Sequence, residues 1–434
     1  MLDLLCYNTF IKLRNCLYLK GRYKVYIAIM GHGVVGSGVA EVISRNNSLI
    51  VKNNNLDSLE VKYILDLREF PELSYSDKFT KNFDDILNDD DVKIVVETMG
   101  GLNPAYKFVK ACLEAGKSVV TSNKELVAAH GWELLKIAEE KNINFLFEAS
   151  VGGGIPVIRP ISRCMAANEI TRIAGILNGT TNFILTKMIT ENMSLADALK
   201  LAQDNGYAEK DPTNDIEGFD ACRKICILAS LCFGRHVFPD DIPTEGITKI
   251  SLADVEYAKN YGKVIKLLGT AMRSPDDKVS AEVSPALIDA TGPLANVNDV
   301  FNAVLVDGNA VGEVVFYGKG AGKLPTASAV VADVIDCAVS KGTKIGYTWD
   351  EAAENNLVSS GEMLARLYVR GFASDVDKTK KSIENIFHGA EFISRENAPE
   401  NEIAFITPSD IRRKLVCDIE AIEGFDKHSV IRLF

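Results

Sequence analysis

The feature that most constrains the fold is a strand that runs directly into a glycine-rich turn. Residues Lys24–Met30 are rich in Val and Ile, which indicates a strand buried in a parallel sheet. The motif GHGVVG follows without a break. In such a motif the first glycine permits a tight turn, the second admits a pyrophosphate, and the third lets the helix approach the strand. We therefore predict a dinucleotide site at Gly31, Gly33, Val34, Val35 and Gly36, with a purely structural turn as the alternative.

Strand and helix patterns alternate after this motif. The predicted strands are 60–66, 93–97, 117–121 and 144–147, and the helices between them include 105–115 and 124–141. Strands separated by helices form parallel sheets with right-handed crossovers. We therefore expect an α/β protein with a Rossmann-type, doubly wound parallel sheet. Residues 46–58 are interpreted as an insertion before the second strand.

A chain of 434 residues exceeds one ordinary domain. The run Gly152-Gly153-Gly154 with Pro156 marks a boundary, so residues 21–155 form the predicted dinucleotide-binding domain, which residues 318–345 complete. Residues 156–317 form an α+β domain, and residues 1–20 an N-terminal extension. Residues 360–434 follow a βαββαβ order, which is the ferredoxin-like arrangement.

Composition excludes several classes of protein. Lys and Arg number 48 against 59 Asp and Glu, a formal net charge of −11, whereas a nucleic-acid-binding surface is basic. No apolar run approaches the ~18 residues that span a bilayer. Nine cysteines are scattered without a disulfide spacing, which favours reduced thiols in the cytoplasm.

Candidate catalytic residues are concentrated in segment 202–224. Asp220 and Lys224 are four residues apart, so on a helix they share a face and can pair. Glu209 and Asp215 lie on the irregular segment before that helix. Carboxylates around an ammonium can bind a zwitterionic amino acid and support proton transfer, although a solvated surface pair is the alternative.

Two further polar residues follow predicted strands, where open parallel sheets bind ligands. Thr98 follows the third strand and Lys124 the fourth. A lysine at a helix N-terminus is electrostatically unfavourable, so we expect Lys124 to face the dinucleotide or the substrate, with a solvated lysine as the alternative. After the second strand, Asp66 could accept from a ribose hydroxyl and Arg68 could pair with a 2′-phosphate, which leaves the choice between NAD and NADP open.

The sequence resembles the homoserine dehydrogenases. GHGVVG, TSNKELVA, ASVGGGIP, LNGTTNFIL, segment 202–224 and FYGKGAGKLPTASAVVAD occur in the order and spacing of that family. The resemblance covers residues 24–345 well and the tail less well. It implies NAD(P)-dependent interconversion of L-homoserine and L-aspartate 4-semialdehyde in threonine, methionine and isoleucine biosynthesis.

The resemblance also assigns roles to individual residues. Lys224, Lys124 and Asp220 become the catalytic residues, and the substrate residues become Glu209, Asp215, Asp220, Gly179 and Thr180. Thr98, Lys124 and Gly322 join the glycine motif at the cofactor. A monovalent cation, usually sodium, is implied at the Glu148 carboxylate and the carbonyls of Val151, Gly153 and Ile155, because hard cations take oxygen ligands. Residues 156–317 become a catalytic and dimerisation domain of a homodimer or homotetramer.

Two rival functions remain open at this point. One is an oxidoreductase of the same layout that acts on a different amino-acid semialdehyde, and the other is a non-catalytic sensor. The tail resembles an ACT-type regulatory domain, but its turn at residues 371–375 lacks the usual Asp-x-Pro-Gly pattern. We therefore expect a separable tail that associates with itself and gives weak or no inhibition by threonine.

Overall fold

The computed structural model describes residues 23–274, 278–340, 344–352 and 357–434. The predicted extension at residues 1–20 lies outside these ranges. Within them, no helix is both long enough and apolar enough to cross a membrane.

A six-stranded parallel sheet forms the first unit, in the order β3-β2-β1-β4-β5-β6. Its elements are β1 (Lys24–Met30), α1 (Val34–Asn54), β2 (Ser58–Leu65), β3 (Phe79–Thr80), α2 (Asp84–Leu87), β4 (Val92–Glu97), α3 (Ala105–Glu114), β5 (Ser118–Thr121), α4 (Lys124–Glu140) and β6 (Phe145–Leu146). The chain builds outward from β1 on one side and then returns to β4 on the other. Ligands of such sheets bind at the carboxyl ends of the strands where this reversal occurs. The predicted Rossmann-type sheet is confirmed.

Two local differences from the sequence-based expectation concern the second strand. Most of the predicted insertion at 46–58 continues helix α1 as far as Asn54, because Ile43 and Ile50 keep buried positions on the helix. Asn55 then ends the helix in the left-handed conformation, a common helix terminus. The short strand β3 was not predicted.

A mixed sheet forms the second unit. Its elements are α5 (Ala149–Gly152), β7 (Ile170–Ile176), α6 (Gly179–Glu191), α7 (Leu195–Asp204), α8 (Thr213–Ile216), α9 (Phe219–Phe233), α10 (Leu252–Asn260), β8 (Lys263–Arg273), β9 (Val279–Asp289), β10 (Phe301–Gly308), β11 (Gly312–Lys319) and α11 (Lys323–Ser340). Strands β11-β10-β7-β8-β9 pair antiparallel. Helix α9 packs on β8 so closely that a Cβ on Gly269 would lie 3.1 Å from Ile225. Helix α11 returns to the first unit and packs against α1 at Gly38.

The tail adopts the predicted ferredoxin-like fold. Its elements are β12 (Leu364–Ala365), β13 (Leu367–Ala373), α12 (Val376–Ile386), β14 (Glu391–Ile393), β15 (Glu402–Ile406), β16 (Asp410–Ile411), α13 (Arg412–Glu420) and β17 (Phe425–Leu433). The sheet order β17-β13-β15-β14 is antiparallel throughout. Strand β17 also pairs parallel with β9, so the tail extends the second sheet to nine strands.

Buried ion pairs join the tail to the second unit. Arg432 of β17 contacts Glu282 of β9 at 3.0 Å. Arg370 of β13 contacts Asp254 of α10 at 2.7 Å, and Asp254 is fully buried. Removal of one partner leaves the other charge buried and unpaired, which is destabilising. These contacts therefore argue against the expectation of a separable tail.

Candidate active site

The glycine turn between β1 and α1 leaves room for a ligand at one of its glycines. Gly31 has a φ of +96°, and a Cβ on Gly36 would lie 1.9 Å from the Gly31 carbonyl oxygen, so the chain itself requires both glycines. A Cβ on Gly33 would meet nothing within 4 Å. The Thr98 hydroxyl donates to the Gly31 carbonyl at 2.9 Å and fixes the turn. The open side at Gly33 therefore fits a pyrophosphate at the α1 N-terminus, where Val34 and Val35 begin the helix.

Asp66 and Arg68 lie beside this turn and neutralise each other. The Asp66 carboxylate accepts the backbone N–H of His32 at 2.8 Å and the Arg68 guanidinium at 2.9 and 3.0 Å. The hydrogen bonds from Arg68 hold the pKa of Asp66 below its usual range, although partial burial opposes them. The Arg68 side chain is 61% exposed, so its guanidinium is accessible to a ligand.

The second glycine-rich turn faces the first unit. Gly322 has a φ of +129° and precedes α11. Lys323, the first residue of that helix, pairs with Glu41 of α1 at 2.8 Å. The turn that holds Gly322 is therefore attached to the helix that begins at the dinucleotide site.

Two lysines converge on one buried carboxylate. Asp220 contacts Lys124 Nζ at 3.1 Å through Oδ1 and Lys224 Nζ at 2.8 Å through Oδ2. Lys224 also donates to the Leu177 carbonyl at 2.7 Å. Burial by itself raises the pKa of Asp220, but the two lysines outweigh it and keep the carboxylate ionised. The predicted catalytic residues are thus brought together where α4 meets α9.

Asn178 organises the carboxylates of this cluster and was not predicted. Its side-chain amide donates to Asp215 at 2.6 Å and to Asp220 at 2.9 Å. Its carbonyl oxygen caps helix α6 by accepting the Thr181 N–H at 2.8 Å. Burial and the nearby Asp220 raise the pKa of Asp215, and the bond from Asn178 opposes this rise. The sequence signal was an N-cap residue type at the start of a helix.

The remaining predicted substrate residues divide into two groups. Gly179 and Thr180 open helix α6 beside Asn178, and the Thr180 hydroxyl donates to the Tyr207 carbonyl at 2.7 Å. A Cβ on Gly179 would lie 2.8 Å from the Val300 carbonyl, so no larger residue fits. Glu209, by contrast, is exposed, and among the described residues it accepts a hydrogen bond only at its backbone carbonyl, from Gln203.

The residues predicted for a cation differ in the hydrogen bonds that they already accept. The Glu148 carboxylate accepts three backbone N–H groups, from Val157, Ile158 and Arg159 at 2.6 to 2.8 Å. A carboxylate offers about four acceptor sites, so the cation role expected for Glu148 stays a prediction. The buried carbonyls of Val151, Gly153 and Ile155 accept no hydrogen bond from the residues described. A hard cation suits such a carbonyl set.

The turn that carries these carbonyls touches the second glycine-rich turn. Gly153 has a φ of +57°, and a Cβ there would lie 2.2 Å from the Gly320 carbonyl oxygen. The Gly154 N–H donates to the Lys319 carbonyl at 3.1 Å. The carbonyl set is therefore held against the segment that leads to Gly322.

This fold and this site define an NAD(P)-dependent dehydrogenase. Residues 31–148 match the family model described as the NAD-binding domain of homoserine dehydrogenase. Residues 156–335 match the model of homoserine dehydrogenase itself. The chain belongs to the homoserine dehydrogenase family, and its activity is the NAD(P)-dependent interconversion of L-homoserine and L-aspartate 4-semialdehyde.

Individual relatives agree with this assignment. A homoserine dehydrogenase from Bacillus subtilis is 38% identical over 376 residues, which is 84% of each chain. One from Pseudomonas aeruginosa is 44% identical over 72% of each chain. The crystal structure of a homoserine dehydrogenase from Thiobacillus denitrificans superposes with a TM-score of 0.86 at 34% identity and covers 95% of this chain and 99% of that one.

A second solved structure bears on the cofactor. A hyperthermophilic archaeal homoserine dehydrogenase in complex with NADPH gives a TM-score of 0.62 at 29% identity, and covers 73% of this chain and 98% of that one. The relatives and the match to the NAD-binding family model exclude the alternative that this chain is a non-catalytic sensor.

Proposed function

We propose that Lys224 transfers the proton in homoserine oxidation and Lys124 positions the reacting groups. The observation that carries this proposal is the contact of both lysines with Asp220. An ammonium has three N–H donors, and Lys224 uses two of them on Asp220 and Leu177. The third can reach the hydroxyl of homoserine. As a neutral amine Lys224 accepts that hydroxyl proton in oxidation, and as an ammonium it returns the proton in reduction.

Bound NAD(P) supplies hydride acceptance and donation at the carbon that carries the hydroxyl. The residues proposed to hold it are Gly31, Gly33, Gly36, Thr98 and Gly322, with Lys124 on the side that faces the substrate. The open space at Gly33 supports this proposal. The paired Asp220 keeps the two lysines in place without taking up a proton itself.

The amino-acid part of the substrate has complementary groups in the same cluster. The first N–H groups of a helix have no partner within it, and in α6 these belong to Gly179 and Thr180. We assign the substrate carboxylate to them, since helix N-termini bind anions. We assign the substrate ammonium to Asp215, with Glu209 closing over it from its exposed segment.

The exposed Arg68 is our candidate for the choice of dinucleotide. Its guanidinium can bind a 2′-phosphate, whereas Asp66 already accepts protein donors. We therefore expect both NADP and NAD to serve. Arg68→Ala should raise the KM for NADP more than that for NAD, and equal changes would remove Arg68 from this role.

We propose that a monovalent cation, sodium by family resemblance, is held by the carbonyls of Val151, Gly153 and Ile155. The chemistry of this donor set supports it, while Glu148 acts by fixing the backbone at residues 157–159. Titration of the dialysed protein with NaCl, with tetramethylammonium chloride to hold ionic strength, should raise the thermal midpoint. Equal midpoints in both salts would exclude the site.

We also propose a cytoplasmic protein that forms a homodimer or homotetramer. The seven described cysteines are all free thiols, which suits a reducing compartment. Strand β11 is an edge of the nine-stranded sheet, with Val315 and Tyr317 exposed, and such an edge favours pairing with a second copy. Sedimentation of the wild type and of Tyr317→Lys tests this surface.

A homoserine oxidation assay with NAD and NADP side by side tests the function directly. Oxidation should be fastest at alkaline pH, because a lysine must lose its proton to act as a base. A rate that stays flat from neutral to strongly alkaline pH would count against Lys224. A panel of other amino-acid semialdehydes in the reverse direction separates this activity from that of the rival oxidoreductase.

A further inference from the structure

A cleft of about 420 Å³ lies between the second unit and the tail. One wall is the segment that carries Glu245 and Lys249. The other wall is formed by α13 and β17, with Arg412, Lys427 and His428. The volume is in the range of small-molecule pockets, which occur preferentially at domain junctions. None of these residues belongs to the active site described above.

The walls of this junction cleft are basic and part of its lining is apolar. Four lining side chains are basic, namely Lys249, Arg412, Lys427 and His428, and one, Glu245, is acidic. The lining also includes the buried Ile250, Ile419 and Ile431. In a chain with a net charge of −11, a basic wall beside aliphatic surface fits an organic anion with a short aliphatic body.

Two of the basic groups can exchange their present partners for a ligand. Lys249 pairs with Glu245 at 3.1 Å, and their side chains are 76% and 44% exposed. Lys427 pairs with Glu420 at 3.4 Å, also at the surface. Exposed pairs contribute little to stability, so a ligand carboxylate can displace either carboxylate. Arg412 is held by Glu282 and therefore stays fixed.

The wall at residues 245–249 also contacts the short helix α8, which carries Asp215. The Ile247 N–H donates to the Ile216 carbonyl at 2.8 Å. A Cβ on Gly246 would lie 1.9 Å from that same carbonyl oxygen, so the two backbones touch without free space. Ile216 follows Asp215 directly in the chain. A movement of this wall therefore displaces Asp215, the residue assigned to the substrate ammonium.

We propose that the junction cleft is a regulatory site for a small organic acid. A carboxylate that bridges Lys249 and Lys427 draws the segment 245–249 toward the tail and loosens the contact between Ile247 and Ile216. Asp215 then holds the substrate less well, while Lys224 and Asp220 stay on α9. Occupancy therefore raises the KM for homoserine and leaves kcat unchanged. This mechanism rests on the assignment of Asp215 to the substrate.

Succinate is the probe, with the full chain and with chloride to hold ionic strength constant. Saturating succinate should raise the KM for homoserine at least ~5-fold, the lower range of allosteric coupling. By reciprocity, homoserine should weaken succinate binding by the same factor in calorimetry. Inorganic phosphate is the second arm, and an equal effect of phosphate would overturn the assignment to an organic acid.

Lys249→Ala/Lys427→Ala is the decisive variant, because neither lysine takes part in catalysis. It should oxidise homoserine as the wild type does and lose the response to succinate. Lys381→Ala, an exposed lysine of α12 outside the cleft, is the matched control and should keep the response. Succinate inhibition that persists in the double variant would show competition at the active site and overturn the proposal. Absence of homoserine oxidation without succinate would instead count against the function itself.

Discussion

Lys124 and Asp220 form an ion pair, with 3.1 Å between Nζ and Oδ1, although they belong to different units of the molecule. Lys124 opens a helix of the dinucleotide-binding unit, and Asp220 lies in the first turn of α9 in the second unit. The pair therefore joins the unit that carries the glycine turn to the unit that carries the proposed substrate residues. It also offsets the unfavourable position of a lysine at a helix N-terminus.

Lys224→Ala should lose most of its turnover and keep its affinity for dinucleotide. General acid–base residues contribute on the order of 10²–10⁴-fold in rate, and Lys224 has no part in the glycine turn. Steady-state kinetics measures the first effect and cofactor fluorescence titration the second. Wild-type turnover would remove Lys224 from the proton-transfer role.

Gly33→Val should abolish dinucleotide binding without unfolding the protein. Gly33 has a φ of −80°, which other residues adopt, and its Cβ position is open. The added side chain would occupy the place of the pyrophosphate. Gly36→Val is the matched control and should misfold, because its Cβ would meet the Gly31 carbonyl at 1.9 Å. Normal cofactor affinity in Gly33→Val would mean that the turn is only structural.

Asn178→Asp should weaken homoserine binding more strongly at low pH than at high pH. Aspartate keeps the oxygen that caps α6 but loses the amide donors to Asp215 and Asp220, and it adds a third carboxylate. The already raised pKa of Asp215 should rise further, so this residue is protonated at a higher pH and no longer attracts the substrate ammonium. The measurement is the pH profile of KM, with thermal unfolding as a check on the cap. An unshifted profile would contradict this role of Asn178.

Lys266 should make the protein more stable as the pH rises from about 8 to about 10.4. Its ammonium is buried and donates to the Val297 carbonyl at 2.6 Å and to Asn182 at 3.1 Å. Burial lowers the pKa of Lys266 to about 8, although Asp299 opposes the shift. Between these pH values the unfolded chain binds a proton that the folded chain has released, so folding gains stability.

Comparison with Lys266→Met isolates this contribution. The free energy of unfolding of the wild type, relative to the variant, should rise by on the order of 2 kcal/mol across that window. Urea unfolding at several pH values measures it, since other titrating groups cancel in the difference. A difference in unfolding free energy that does not change with pH would mean that Lys266 has the same pKa in the folded and unfolded chains.

A chain that ends at Ser359 should be unstable and inactive, contrary to the expectation from the sequence. Loss of the tail removes Arg370 and Arg432. Asp254 and Glu282 then remain without these partners. Breaking a buried ion pair costs about 3–5 kcal/mol, and β9 loses its neighbour β17 as well. Thermal unfolding and homoserine oxidation of the shortened chain test this. Retention of both stability and activity would show that the tail is separable after all.

The sequence alone determined the parts of the site that depend on local spacing. A strand followed by GxGxxG fixes a turn at a helix N-terminus, and the four-residue spacing of Asp220 and Lys224 places them on one helix face. The alternation of strand and helix gave the parallel sheet, and the βαββαβ order gave the fold of the tail. In each case neighbours in the chain are also neighbours in space, so periodicity and turn chemistry suffice.

Only the tertiary structure decided which partners the buried polar groups take. Nothing in the spacing shows that Glu148 turns toward the backbone at residues 157–159, or that Asn178 joins Asp215 to Asp220. The sequence pattern also did not predict the ion pair between Arg432 and Glu282, because an arginine in a strand is usually expected to face solvent. Burial requires every such group to find a partner, but the partner is chosen by packing between elements that are distant in sequence.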